Sequence, residues 1–503
     1  MIAGEKLFLR KTAEAKQCSM TYFKFLISCF VALAFINDCV AQQPAAVPGF
    51  YDEIKRINPD STAKLHVVSF NIKGNKRTKS YIILREIQFK TGDSLIIGQL
   101  TSIMEQARRQ VFNSNLFSEV SITPVIISAY EISVHVTVRE KWYLYPTPQF
   151  QLVDRNYNEW LKTYNGDLDR VVYGIKFAHY NFSGRGDQLR IYLLNGYSRN
   201  ISFSYNTPYS NSRLSEGFRI SAGYSQNREI PYKTSYNNKL LQFKKPGFVR
   251  NNSYASVSYQ SRKGFFKRRI YTASFTYLHV NDSIIDPLYN PNYFNTANSS
   301  RALIDLSYIY QYVNIDHVNY PLSGKSYAFS VNKRGFGLKG ETNMFYVDAV
   351  YNKYMSHFNN RLNSSIQLYA KLKLPFDQPY LNQRALGYGE LYLRGMEYYV
   401  IDGVASAVAK YTVKKKLLSF KIPVPFNIRV LPNIPFTFFG KTYADVGYSY
   451  IKKQFDTRLN NRLLYSGGFG IDILTVYGIN INLEYSFNQL GENGIFLHGK
   501  GGF

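Results

Sequence analysis

SSIQLYAKLKL, residues 364–374, sets Ile366, Leu368, Ala370, Leu372 and Leu374 on one face of an extended chain and Gln367, Tyr369, Lys371 and Lys373 on the other. Successive side chains of a strand point to opposite sides, so the segment predicts a strand with one apolar and one strongly polar face. INLEYSF, residues 481–487, repeats the pattern, with Ile481, Leu483, Tyr485 and Phe487 against Asn482, Glu484 and Ser486. Comparable stretches fall at 189–194, 201–205, 254–259, 271–280, 303–312 and 327–331, divided by Gly, Asn, Ser and Pro clusters such as NPNYFNTANSS, 290–300. A soluble sandwich would alternate too. Residues 150–503, however, offer no long helical pattern and no second core, whereas a membrane barrel closes its edges and needs only repetition. At about 22 residues per strand and turn, the region supplies about 16 strands, an even number of the kind such barrels use.

The composition agrees with a chain that is apolar at every second residue. Its 503 residues include 44 Tyr and 36 Phe but only 2 Trp, an aromatic share too high for a disordered chain. A mean hydropathy of −0.26 is too polar for a bundle of membrane helices. The one long apolar run, FLISCFVALAFI (25–36), follows Lys24 and precedes the small residues around Cys39-Val40-Ala41. It predicts a secretory signal peptide, too short for a stable membrane anchor, with Met20 the natural start. Asn37-Asp38 before Cys39 argues against a lipoprotein signal.

Cys18, Cys29 and Cys39 all lie at or before the expected cleavage point, so the mature chain is expected to hold no disulfide and no cysteine metal ligand. The net charge is +27; removing residues 1–41, with five basic and three acidic side chains, leaves +25. That charge calls for negatively charged partners. Export argues against nucleic acid and for anionic lipid head groups, lipopolysaccharide phosphates or acidic client chains.

Residues 42–62 are expected to be a linker, and 63–141 one compact α/β module. Leu65, Val67 and Phe70 begin a strand that ends in the turn signal Gly74-Asn75. Two helices are predicted. One spans Ser80 to Phe89, and the other starts at Asp93 or Ser94, with Ile96, Leu100, Ile103, Ala107 and Val111 along one face. Strands at 117–122 and 131–138 complete a β-α-α-β-β order.

IKGNKRT (72–78), Arg85, TGD (91–93), NLFSEV (115–120) and VHVTVRE (134–140) together resemble, in type and order, a POTRA domain of the BamA-type outer-membrane assembly family. Gly74, Asn75, Thr78, Gly92, Asp93 and Phe117 carry that signature. Four matches in 142–503 extend the resemblance to the barrel. NFSGRGDQLRI (181–191) looks like the turn joining the first two barrel strands, DHVNYPLSGKSY (316–327) like the family's Asp-to-Pro-x-x-Gly segment, and YADVGYSY (443–450) like its Asp-x-Gly strand. LRGM (393–396) resembles the arginine-glycine-aromatic tip of a long sixth loop that folds into the lumen.

The resemblance implies a mainly β fold, a transmembrane antiparallel barrel of about 16 strands preceded by one small periplasmic domain. It implies a latch in which Arg394 reaches into the lumen toward Asp445, with Gly395 allowing the tight turn. Met396 stands where the family has an aromatic residue. Glu484, lumen-facing by alternation, is a second candidate partner, and a solvated loop arginine is the alternative for Arg394. Phe503 matches the terminal aromatic by which bacterial assembly machinery recognises barrels, an ordinary last residue being the alternative. A weak seam is expected between a first strand near 171–180 and a last strand at 495–503, the latter loosened by Gly499, Gly501 and Gly502.

The implied activity is outer-membrane protein assembly: unfolded outer-membrane or secreted polypeptides received at the POTRA edge and inserted or translocated at the seam, with possible accessory subunits. A dedicated secretion pore, or a barrel handling lipid or polysaccharide, is the alternative. No cofactor, metal or enzymatic activity is expected. The histidines, at 66, 135, 179, 279, 317, 357 and 498, form no HExxH, paired-ligand or triad spacing, and Gly184-Arg185-Gly186-Asp187 reads as a turn rather than a phosphate loop.

Overall fold

A computed structural model describes residues 60–152, 165, 167–336, 342–358, 361–389, 391–424, 433–452 and 457–500. The expected signal peptide and Phe503 lie outside them. The N-terminal unit is a four-stranded sheet of β1 (Lys64–Lys73), β2 (Ser94–Ile96), β3 (Phe117–Ser128) and β4 (Glu131–Glu140), in the order β2-β1-β4-β3. Its helices are α1 (Ser80–Arg85) and α2 (Leu100–Asn113). Ile132, Val134 and Val136 on β4 and Leu100, Ala107 and Val111 on α2 are fully buried against each other's layer. Ser94–Ile96, read from sequence as the start of the second helix, pairs with Lys64–His66, so the helix starts at Leu100. Leu95 is thereby buried, and a three-residue strand is too short to produce a readable period of two.

Sixteen further strands form one antiparallel sheet. They are β5 (Leu144–Leu152), β6 (Val171–His179), β7 (Gln188–Gly196), β8 (Ser198–Thr207), β9 (Glu216–Asn227), and, after an outlying hairpin of β10 (Glu229–Thr234) and β11 (Leu240–Lys244), β12 (Arg250–Lys263), β13 (Lys267–Val280), β14 (Ser300–Ile315), β15 (Gly324–Arg334), β16 (Met344–His357) and β17 (Leu362–Leu374). A long loop carrying β18 (Arg384–Leu386) and β19 (Ile401–Asp402) leads to β20 (Ala405–Pro423), β21 (Asn433–Tyr450), β22 (Leu463–Leu474), β23 (Asn480–Asn488) and β24 (Asn493–Lys500). Alternation sorts the faces as expected. Leu368, Leu372, Leu374, Ile481 and Leu483 are exposed on the outside, while Lys373, Glu484 and Ser486 are buried inside. An apolar exterior around a polar interior is the mark of a transmembrane barrel.

The ladder runs from β5 to β24, and among the described residues no ladder joins these two ends. The first strand is therefore Leu144–Leu152, and Val171–His179 is the second, so the segment 181–187 turns between strands two and three rather than one and two. Pro146 and Pro148 hid β5 from a sequence reading, because proline argues against a central strand and is tolerated only at an edge.

The α/β domain docks against the turns at the near end of the barrel. Arg77 donates to the carbonyls of Asn181 (2.8 Å) and Phe182 (2.5 Å), Arg85 to those of Leu214 (2.9 Å) and Gly264 (2.8 Å), and Asn113 to that of Ile315 (2.9 Å). At the centre of this contact, the buried Glu86 meets Arg262 of β12 at 2.5 and 2.6 Å and accepts from Tyr209 at 2.6 Å. Burial alone would raise the Glu86 carboxyl, but the Arg262 charge and these hydrogen bonds hold it below its ordinary value. Apolar residues of the opposite loops, including Ile230, Phe243, Ile284, Tyr293 and Tyr380, pack into a separate core beyond the far ends of the strands.

Candidate functional site: an inward loop and an unequal seam

The loop between β17 and β20, described over 375–389 and 391–404, turns into the lumen. Asp445, on the inner face of β21 and wholly buried, accepts from the Arg394 backbone N–H at 3.0 Å and from Arg394 Nε at 2.9 Å, and Arg394 Nη2 bonds its other oxygen. Nη1 donates to Thr412 Oγ1 at 3.0 Å, and the guanidinium lies 3.9 Å from the Tyr443 ring centroid. A planar fork satisfies both carboxylate oxygens and stacks on the ring at once, which an ammonium does not. Lys410 stands 4.0 Å from the same carboxylate.

Gly395 has φ +84, and a Cβ there would lie 2.7 Å from Ser486 Cβ, so the turn requires glycine on both conformational and steric grounds. Met396 is buried with Leu386, Leu393, Ile401 and Leu464. Leu393 occupies the space left by Gly447 of the Asp-x-Gly strand, where a Cβ would come within 2.8 Å of it. Glu484 is not bonded to Arg394; its Oε1 accepts from Lys441 Nζ at 2.5 Å. Lys441 also pairs with Asp472, to which Tyr320 of the β14–β15 turn donates at 2.8 Å.

In the α/β domain, Gly74 (φ +93) closes the turn after β1, where a Cβ would sit 1.9 Å from the Val138 carbonyl oxygen. Asn75 Nδ2 donates to the Thr78 carbonyl and Ser80 Oγ. The Thr78 N–H donates to Glu140 at 2.6 Å, and its hydroxyl accepts from Asn181 at 2.9 Å, so this signature residue also touches the barrel. Gly92 (φ +93) and Asp93, whose carboxylate accepts from Lys90 N–H at 2.7 Å, shape the turn before β2; Phe117 is core.

The two ends of the ladder differ in hydrogen-bonding capacity. Tyr180 N–H donates to the Tyr143 carbonyl, so the unbroken pairing of β5 with β6 directs the backbone groups of 145, 147, 149 and 151 toward β6 and those of 144, 146, 148, 150 and 152 toward the seam. Pro146 and Pro148 have no N–H to offer there. Two seam-facing carbonyls are engaged locally, Leu144 by the Trp142 indole and Pro148 by the Gln149 amide at 3.1 Å. On β24 the donation of Asn488 N–H to Glu492 places 493, 495, 497 and 499 on the seam side, none of them proline. Sequence reading missed this asymmetry because it rests on the pairing parity of an edge strand.

Among solved structures the chain is similar to BamA from Haemophilus ducreyi lacking POTRA domains 1-3, at 14% identity and a TM-score of 0.48 over 87% of this chain and 84% of that one. It is similar to CdiB from Acinetobacter baumannii (11%, TM-score 0.42, 85% of this chain and 70% of that one) and to CdiB from Escherichia coli (10%, TM-score 0.47, 97% and 98%). No curated protein matches it. The POTRA family model, a surface antigen variable number repeat, matches residues 65–141, and the Omp85 superfamily domain matches residues 181–397. Those two matches take in the α/β unit and the barrel from the β6–β7 turn through the tip of the inward loop, and the chain belongs to the Omp85 superfamily, with a POTRA domain ahead of its barrel.

Proposed function

We propose that the protein is an outer-membrane assembly or translocation factor that receives unfolded polypeptide at a sheet edge of its POTRA domain, in the periplasm, and inserts it or passes it on at the seam between β5 and β24. The unequal seam carries the reading. β24 offers a full row of donors and acceptors, β5 an interrupted one, so the two satisfy each other poorly. The β24 row is left for an extended client that adds as a strand, a mode that reads backbone rather than side chains. Passage straight along the lumen fits the geometry less well. The POTRA domain docks at one end, packed loops lie at the other, and the Arg394 loop lies between.

No nucleotide is needed. Client backbone groups that would be unsatisfied in lipid become paired as the client folds, and that supplies the drive. The positive charge suits lipopolysaccharide and other anionic lipids as surroundings, and accessory subunits would join at the POTRA face. Depletion followed by a census of outer-membrane proteins tests the reading. Broad loss of folded barrels is the result expected of an insertase. Loss of a single secreted product would reassign the protein as a dedicated export pore, and an unchanged census and secretome would refute both.

A further inference from the structure

Three residues far apart in sequence converge at the base of the inward loop. Glu397 follows the Arg394 turn, Glu484 lies on β23 and His498 on β24. His498 Nε2 is 3.3 Å from Glu397 Oε1 and 3.5 Å from Glu484 Oε2, and one ligand atom from each residue lies within 4.8 Å of the others. Among the described residues, both oxygens of Glu397, Oε2 of Glu484 and Nε2 of His498 make no side-chain hydrogen bond, and Glu484 is only 3% exposed. The backbone amides of Gly395 and Glu397 lie beside the Glu397 carboxylate.

We propose that this cluster is a divalent-cation site of zinc type that fastens the inward loop to the two strands beside the seam. The remaining polar atoms prepare the ligands for it. Glu484 Oε1 is held by Lys441, which leaves Oε2 free. His498 Nδ1 meets the Tyr392 hydroxyl at 3.3 Å, and donation from Nδ1 places the Nε2 lone pair toward the carboxylates. Tyr392 and Phe496 stack on the imidazole and fix its plane.

The distances separate a metal from a proton. A charged imidazolium between two carboxylates would form hydrogen bonds of about 2.7–2.9 Å. Donors bound to one zinc ion at about 2.0–2.1 Å in a tetrahedron stand about 3.3 Å apart, close to the two His498–carboxylate distances, and the two carboxylate oxygens lie within 4.8 Å of one another. Two carboxylates and a neutral imidazole form the donor set; Glu484 shares its charge with Lys441, which also pairs with Asp472, while Arg394 pairs with Asp445. Three protein ligands leave a fourth position, and a lumen cavity of about 530 Å³ that Glu484 and His498 help to line gives a path of entry.

The test uses the full chain in detergent, stripped with chelator and titrated with Zn²⁺ by calorimetry, with metal content measured after desalting. Folded barrel is scored separately by heat-modifiable gel mobility. One Zn²⁺ per wild-type chain is expected, with none retained by Glu397→Gln or His498→Gln, and with affinity about 10–100-fold weaker in Tyr392→Phe. Co²⁺ in place of Zn²⁺ should give the intense visible absorption of a tetrahedral ion. Absence of binding by the folded wild type, or wild-type stoichiometry in folded Glu397→Gln and His498→Gln, would overturn the site. Metal content and gel mobility do not depend on any transport activity, so the outcome stands apart from that of the assembly reading.

Discussion

Replacing Arg394 by alanine strips Asp445 of a bidentate partner while leaving its carboxylate buried at 0% exposure. Halving a buried ion pair costs about 3–5 kcal/mol. The Arg394 backbone N–H stays in place at 3.0 Å and Lys410 stands at 4.0 Å, which sets the expectation at the low end. A loss of about 3 kcal/mol is roughly a 100-fold fall in the ratio of docked to undocked loop. Arg394→Lys keeps the charge but loses one arm of the fork and the flat stacking on Tyr443, for a loss of about 1–2 kcal/mol. The Arg394→Ala, Asp445→Ala double variant should be less damaged than the sum of its singles by about 2 kcal/mol, because no buried charge is then orphaned.

The loop can be followed by a single label. All three cysteines lie at or before residue 39, so Tyr398→Cys, at an exposed position 5.7 Å from the Phe496 ring, takes a nitroxide or fluorophore selectively. Docking measured against urea in refolded barrel gives each free energy. A wild-type docked fraction in Arg394→Ala, equal behaviour of arginine and lysine, or a coupling energy near zero would refute the latch.

Gly395→Ala should undock the same loop by about 1–3 kcal/mol, since it combines strain at positive φ with a clash on Ser486; the Tyr398 label reads it, and unchanged docking would be the adverse result. The Glu86 carboxyl lies below its unfolded value of 4.5, so its contribution to POTRA docking is complete above about that pH and is lost as pH falls through the lower folded value; POTRA-to-barrel spin distances should lengthen on acidification, and less so in Glu86→Gln. Arg262→Ala should release the POTRA domain at neutral pH, at a cost of about 3–5 kcal/mol, seen as protease access to the 209–214 turn. Pro146→Ala with Pro148→Ala restores two donors to the seam, and hydrogen exchange at Ile495 and Leu497 should slow; unchanged exchange would mean that β24 is not limited by its neighbour.

The barrel was legible because its physics is periodic: segments such as 364–374 and 481–487 state their two faces without help from the rest of the chain. β5 was not, because its prolines are tolerable only at an edge, and a strand becomes an edge through tertiary context. Ser94–Ile96 reads as helix for a similar reason, three residues being too few to display a period. Asp445 stands 51 residues from Arg394, and only the family resemblance suggested that they meet. The Glu86–Arg262 pair and the grouping of Glu397 with His498 follow from how the sheet curls, and each residue alone looks like an ordinary surface charge.

The interrupted row on β5 and the complete row on β24 also impose a polarity. β24 runs from the far end of the barrel toward the POTRA end, so a strand added antiparallel to it must run outward from the POTRA side. On the proposed function, a client strand seated antiparallel there has its N-terminal end on the POTRA side. The seam would then act as a one-way template, setting the topology of what it builds before any side chain of the client has been read.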